Sequence, residues 1–262
     1  MASAVLTGRT TIPQSQQWPE QQTRAKSPYG LPIVEDCLRC QLRDDNFFCA
    51  ISEASRRALD RIKHTTSYPA GAILFLEGQS ARGVYMLCQG RAKLMMTNGE
   101  GRTLILKIAE AGEIFGLNSV ITGRPHEVAL ETLQPSQVAF IAREDFLKLM
   151  KEHGDVCLQV VRHLSRDCQA AHDSIRSIGL SHSASGKLAR FLLDWSAEGQ
   201  ESNEGVRKKL PLTHEEIAQL IGSSRETVTR ALSGFKRESI AEMRGSTLVV
   251  LDKGALENLA AA

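Results

Sequence analysis

The chain is poor in aromatic residues: two Trp, three Tyr and eight Phe, 5% of its 262 positions. Aliphatic packing therefore has to carry the core. No apolar run is long enough to cross a bilayer as a helix. Neither sign of charge dominates, since 32 Lys+Arg stand against 30 Asp+Glu for a formal net charge of +2. General basicity thus announces no nucleic-acid binder, and any such case rests on local placement. Met1 to Thr11 lack the basic start and apolar stretch of a secretory signal, so a cytoplasmic protein with mostly reduced cysteines is expected. What is present, 42% hydrophobic and 24% charged residues, is ordinary globular composition. It excludes a collagen, a disulfide miniprotein or a wholly disordered chain, and the length corresponds to about two domains.

Residues 1–36, rich in Gln and Pro, read as a flexible tail. From Ser67 to Ala142 short apolar stretches are punctuated by glycines. Ala72 to Glu77, Val84 to Gln89, Arg91 to Thr97, Thr103 to Ile108, Val128 to Thr132 and Gln137 to Ala142 are of strand length, with Asn98-Gly99-Glu100-Gly101 as a hairpin connection. Such spacing predicts a small antiparallel β-roll within residues 37–143. Glu144 to about Ile178 contains no proline and predicts one long helix, 144–180. Phe146 and Met150 would lie on the roll. Beyond them Cys157, Val161, Leu164, Cys168, Ala171 and Ile175 alternate steps of four and three, the spacing of a coiled-coil seam. One narrow stripe is satisfied by its own symmetry mate, so a homodimer is expected. Ser181 to Ser185 is a candidate hinge into a second domain, 181–262. There an amphipathic helix, Lys187 to Ser196, is followed by a polar loop, Glu198 to Lys209.

The strongest pattern lies at 213–237. Thr213-His214-Glu215-Glu216 is a capping box, and Ile217, Leu220 and Ile221 form an apolar face. Gly222 ends that helix and Ser223 or Ser224 caps the next. On the second helix Val228, Ala231, Leu232 and Phe235 share the inner face, while Arg225, Glu226, Thr229, Arg230 and Ser233 share the outer one. An arginine fork fits guanine O6 and N7, and a glutamate accepts from cytosine N4. A carboxylate aimed at a polyanion is costly without such a donor, so Glu226 favours base reading. Ser224, Thr213, Thr229, Lys236, Arg237 and Arg244 are placed to meet phosphates. Ile240 to Met243 and Thr247 to Leu251 read as the strands of a wing.

Gly222-Ser223-Ser224-Arg225-Glu226-Thr227-Val228-Thr229-Arg230 resembles the recognition-helix motif of the cyclic-AMP receptor protein / fumarate-nitrate reduction regulator (CRP/FNR) family. The order of roll, long helix and winged helix-turn-helix follows that family over about residues 37 to 259. The resemblance implies an α+β fold with an N-terminal cyclic-nucleotide-binding-like β-roll (jelly roll), a long dimerisation helix and a C-terminal winged helix-turn-helix. It implies a transcription regulator whose partners are double-stranded DNA, a second copy of the chain and RNA polymerase, with no membrane. Arg225, Glu226 and Arg230 become the base-reading trio. Their arrangement is similar to the CRP branch, whose half-site is TGTGA, so a palindrome with TGTGA-like arms is expected.

For the signal, family members that bind cyclic nucleotides carry a Gly-Glu-…-Arg-Ser/Thr-Ala cassette. Phe115, Gly116, Leu117, Asn118, Arg124 and His126 occupy that segment here, with Leu117 at the Glu position, His126 at the Arg position and Glu127 at the Ser position. Arg124 falls on a variable position. Leucine offers a ribose no acceptor and Glu127 repels a cyclic phosphate, which argues against cyclic AMP; an atypical pocket for a cyclic nucleotide stays open as an alternative. Cys37, Cys40 and Cys49 stand where FNR-type sensors place three of four iron–sulfur ligands. The second gap is longer than in that pattern, and no Cys falls near Val138-Ala139. Cys88 and Cys157 would need an unusual arrangement to complete the set, and Asp36 or a His could do so. An iron–sulfur cluster or zinc stands against the alternative of small apolar fillers or oxidisable thiols. Within the roll His126 has no second His beside it, and neither a Gly-x-Ser-x-Gly elbow nor a P-loop is present. No enzyme is expected.

Overall fold

The structure, a computed structural model, describes residues 28–31, 36–40, 48–180 and 183–261, with the side chains of 173–180 outside that description. The tail of residues 1–27, Ser181 and His182 of the expected hinge, and the Ile175 side chain therefore lie outside the described residues.

The first domain opens with helix α1 (Glu53–Ile62), started by Ser52, whose hydroxyl accepts from the Ser55 amide. Eight strands follow: β1 (Lys63–Tyr68), β2 (Ile73–Phe75), β3 (Gly83–Gln89), β4 (Arg91–Thr97), β5 (Thr103–Glu110), β6 (Ile114–Phe115), β7 (Ala129–Thr132) and β8 (Ser136–Ala142). Helix α2 (Leu117–Thr122) sits between β6 and β7. The strands make two antiparallel sheets, β1-β8-β3-β6 and β2-β7-β4-β5. Strands β3 and β8 are covered on both faces, which explains their nearly continuous apolar text. Leu87 and Val138 meet Phe75, Leu130 and Phe115 between the sheets. Val84, Met86, Ala139 and Ile141 face outward onto Phe48, Cys49, Leu59 and Phe146.

Six strands were expected and eight are present. Strand β1 has the polar sequence KHTTSY and follows α1 without a turn; it is a strand because Lys63 to Tyr68 pair with Ile141 to Ser136. Strand β6 is two residues long and carries no periodicity.

The single helix expected over 144–180 is two. Helix α3 (Arg143–Glu152) belongs to the roll through the buried Phe146 and Leu149, and Met150 packs on the same core. Helix α4 (Gly154–Leu180) begins after His153, which is extended at φ −129° and ψ 96°. The break is pinned to α1: the Asp155 carboxylate accepts from Ser52 N and Ser55 Oγ, each at 2.7 Å, and Ser55 Oγ lies 3.0 Å from His153 Nδ1. Burial works against the Asp155 charge, but these hydrogen bonds outweigh it and hold the carboxyl at about 2. Along α4 Val156, Gln159, Val160 and His163 are buried on the roll, and Gln159 donates to Ala50 O at 2.8 Å.

The second domain comprises α5 (Ala184–Ser196), β9 (Gln200–Ser202), β10 (Gly205–Lys209), α6 (His214–Ile221), α7 (Arg225–Arg237), β11 (Ala241–Arg244), β12 (Thr247–Val250) and α8 (Lys253–Ala261). Its sheet order is β11-β12-β10-β9. The stretch expected as a polar loop is thus the β9–β10 hairpin, paired to the wing through β10 and β12. Leu188, Leu192, Ile217, Val228, Leu232, Phe235, Leu248 and Leu256 form the core. Gly186 lets α5 approach α8: a Cβ there would stand 3.0 Å from Leu259 O. Among the described residues no helix is long and apolar enough to cross a membrane.

Candidate nucleic-acid interface and sensor region

Helix α6 starts on the capping box read from the sequence, since Thr213 Oγ1 accepts from Glu216 N and Glu216 Oε2 accepts from Thr213 N. It ends on Gly222 in the left-handed region, φ 63° and ψ 45°, which turns the chain into α7. Ser224 caps α7 by accepting from Thr227 N. Val228, Leu232 and Phe235 are buried beneath α7, whereas Arg225, Glu226, Thr229, Arg230 and Ser233 are all exposed. The helix N-terminus holds the Glu226 carboxyl below its ordinary range, first through its own backbone amide and then through Ser224. The first two turns of α7 therefore offer a charged acceptor and two guanidinium forks.

The phosphate candidates differ in freedom. Lys236 and Arg237 are exposed, with loose ion pairs to Glu242 at 3.6 Å and Glu238 at 3.7 Å. Arg244 is bound more tightly on the wing, at 2.6 Å from both Glu204 and Glu242. A phosphate has to compete with those two carboxylates. Thr229 is also engaged: its hydroxyl donates to Arg225 O and lies 2.9 Å from His214 Nδ1. His214, which the sequence reading missed, ties the start of α6 to the exposed face of α7. Its only signal was its place at the first position after the cap.

The winged domain also meets its own roll. Lys93 Nζ, on β4, bridges Glu131 at 3.1 Å and Glu216 at 3.7 Å. Ile108 and Leu133 pack against the winged core, and the Arg91 guanidinium lies over Trp195.

The cassette segment is filled by protein. Leu117 is buried in the helix-side core. The His126 ring stacks on Phe75 with centroids 4.0 Å apart, and burial lowers its pKa. Gly116 has φ 84°, and a Cβ there would meet His126 Cε1 at 3.2 Å. Asn118 donates to the exposed Glu127, and Arg124 is exposed. At the positions that the resemblance assigns to the ribose and phosphate ligands, Leu117 carries no acceptor and Glu127 carries an exposed carboxylate.

Three cysteines gather under the roll, and a fourth joins them. Cys37 and Cys49 are buried, and Cys40 is half-buried. Cys37 Sγ accepts from Lys63 Nζ at 3.1 Å, and Lys63 is itself paired with Asp60 at 2.8 Å. Burial, then the neighbouring Cys37, Cys88 and Cys40 thiols, push the Cys49 thiol up. Burial likewise pushes the Cys88 thiol up to about 12. Cys88, expected to need an unusual arrangement, thus already belongs to this group. Among the described residues no group of three or more His, Cys, Asp or Glu side chains is arranged to hold a metal ion.

A winged helix-turn-helix with an exposed recognition face, carried by a roll of two four-stranded sheets, defines a DNA-binding regulator with an attached sensing domain. Residues 65–153 match the cyclic nucleotide-binding domain and residues 186–259 the Crp-like helix-turn-helix domain. The CRP-like cAMP-activated global transcriptional regulator of Mycobacterium tuberculosis is 24% identical over 210 residues, 80% of this chain and 93% of that protein. The cAMP-activated global transcriptional regulator CRP of Salmonella typhimurium is 23% identical over 188 residues, 71% of this chain and 89% of that one. Among solved structures, FixK2 from Bradyrhizobium japonicum superposes with a TM-score of 0.66 at 25% identity, covering 77% of this chain and 98% of its own. The chain belongs to the CRP/FNR family of transcription regulators.

Proposed function

We propose that this protein is a homodimeric regulator that reads a palindrome with TGTGA-like half-sites through Arg225, Glu226 and Arg230. The observation that carries this reading is the exposure of all three on α7 above the buried Val228, Leu232 and Phe235. Arg225 and Arg230 supply forks for guanine, and Glu226 supplies the acceptor for cytosine N4. Two copies held by one axis place two α7 helices in successive major grooves. The dimer is supported by α4, where Leu158 and Val161 are 50% and 58% exposed although apolar, with Ser165 and Cys168 exposed further along. This stripe differs in part from the expected seam. Leu164 packs on the roll's own core, and Cys157 is half-buried, so Leu158 joins Val161 and Cys168 on the outer face. RNA polymerase is the further partner such a regulator addresses. Selection of bound sequences from random DNA tests the reading: enrichment of TGTGA palindromes by a dimer supports it. A monomer without preference among oligonucleotides overturns it.

A second reading concerns the signal. The gathering of Cys37, Cys40 and Cys49 beside Lys63 supports a redox- or oxygen-responsive iron–sulfur or zinc centre, since thiolates suit both. Such a centre would supply a redox-labile link between the segment before the roll and β1. Anaerobic purification with iron and zinc assay tests it, and metal-free protein that binds DNA equally with and without air overturns it.

A further inference from the structure

The buried row of α4 passes from Val156 and Val160 to His163, which is only 7% exposed. The His163 Nε2 is buried without a hydrogen-bond partner. The Asp167 carboxylate, one turn further along α4, lies 3.7 Å from it, beyond hydrogen-bond reach. A buried polar atom left in that state calls for an explanation. Asp167 is turned instead to the roll, where it lies 3.4 Å from Lys107 Nζ on β5. Lys107 also pairs with Glu113 and lies over the Phe115 ring at 5.7 Å. The Asp167–Lys107 pair thus ties α4 to β5. Ile108, the next residue of β5, points to the other face of the strand and packs against the winged core. The charged groups that face His163 are Asp167 and Arg166 on α4, Lys107 on β5, and Glu113 just beyond that strand. Helix α2 carries no charged residue. Helix α3 turns Glu144, Asp145, Lys148, Lys151 and Glu152 to solvent, and its Arg143 donates to Val120 O.

From this geometry we propose that His163, Asp167, Lys107 and Glu113 form an acid-operated switch between α4 and β5. A proton taken up at His163 draws Asp167 off Lys107, loosens α4 on the roll and lowers the affinity for DNA. The inference rests on the DNA-binding reading above and adds to it a signal, the proton. While His163 is neutral, two carboxylates share one lysine and Asp167 is committed to β5. Burial, the largest influence on the ring, disfavours its charged form in spite of Asp167. A proton on Nε2 makes a buried cation one turn away from a carboxylate, and a charge-assisted hydrogen bond between them is about twice as strong as a neutral one. His163 and Lys107 then repel each other across the same carboxylates. Asp167 closes on His163, so a link between α4 and β5 becomes a link within α4. The loosened state hydrates the ring and binds the proton more readily than the closed one, so a falling pH favours it. An ordinary imidazole titrates at about 6.5, and the switch acts below that value. Leu158 and Val161, on the outer face of α4, take no part, so the dimer persists.

The test uses the full chain at about pH 7.5 and about pH 5.5, on either side of the ordinary imidazole value. Two readouts are taken: affinity for the duplex enriched from random DNA, and hydrogen exchange of the α4 and β5 amides corrected for intrinsic rates. Wild type is compared with H163Q, which keeps a polar side chain that cannot take the charge, and with H172Q, an exposed histidine of the same helix. In acid, wild type and H172Q should lose about fivefold or more in affinity beyond the change seen in H163Q, the lower end of ordinary couplings between sites. Their α4 and β5 amides should exchange faster in acid, and those of H163Q should not. The same pH dependence in wild type and H163Q overturns the switch. A wild type that prefers no duplex at either pH overturns the DNA reading, and the exchange data then decide the switch alone. Sedimentation should show a dimer at both pH values; a wild-type monomer at the lower one overturns the route through the roll. In case H163Q fails to fold, D167N replaces it. That variant should bind DNA more weakly already at the higher pH and change little on acidification, and a full wild-type pH response from it overturns the proposal.

Discussion

Lys93 and Glu216 meet across the boundary between the two domains, Nζ to Oε1 at 3.7 Å, with both side chains largely buried at 13% and 18% exposure. Glu216 is the residue that closes the capping box of α6, so the pair couples a roll strand to the first helix of the helix-turn-helix. Lys93 also holds Glu131, which makes the contact a three-member network. The replacement Lys93→Ala leaves two carboxylates without their cation. It should cost about 1 to 2 kcal/mol, between the values of exposed and buried pairs. Denaturant midpoints and faster hydrogen exchange at the α6 amides measure this. An unchanged midpoint would show that the domains do not depend on the bridge.

Base reading and phosphate binding should separate by mutation. Arg230→Ala is expected to cost about 1 to 3 kcal/mol on the selected palindrome and to relax one base pair, with little change on random DNA. Arg237→Ala should weaken both about equally and reduce the salt slope by about 1. Titrations at several salt concentrations check the contrast, and equal loss on both DNAs for Arg230→Ala contradicts its role.

The outer face of α4 predicts the assembly state. Val161→Glu places a charge on the exposed outer stripe of α4, so the monomer should stay folded while the dimer is lost. Sedimentation reads the mass and circular dichroism the fold. A dimer that survives the change moves the interface elsewhere.

Burial lowers the His126 pKa in the folded chain, so the unfolded chain binds the proton more readily. Stability from this group is complete above the unfolded value of about 6.5 and falls as pH drops through it toward the folded value. His163 is lowered in the same direction, chiefly by burial. His126→Phe keeps a ring on Phe75 and should flatten, without abolishing, the loss of stability between about pH 7 and pH 5. Urea midpoints across that range check it, and an unaltered slope would remove His126 from the account.

The helix-turn-helix was legible because its determinants are neighbours in the chain. Thr213 and Glu216 are three residues apart, Gly222 directly follows α6, and the buried face of α7 repeats within thirteen residues. Strand β1 was not legible, because nothing within KHTTSY separates it from a polar loop; β8 makes it a strand. The same holds for β9–β10, whose exposed residues are ordered by pairing with β12. The break at His153 was hidden too, since Ser55, 98 residues earlier, supplies its partner.

By itself, then, the chain of residues determined the caps and the faces of α6 and α7, all of which depend on groups within a few positions of one another. The tertiary structure alone decided that Cys88 lies with Cys49 and that Lys93 holds Glu216. Such contacts depend on which strands pair and which faces of them are covered, and no local pattern encodes that.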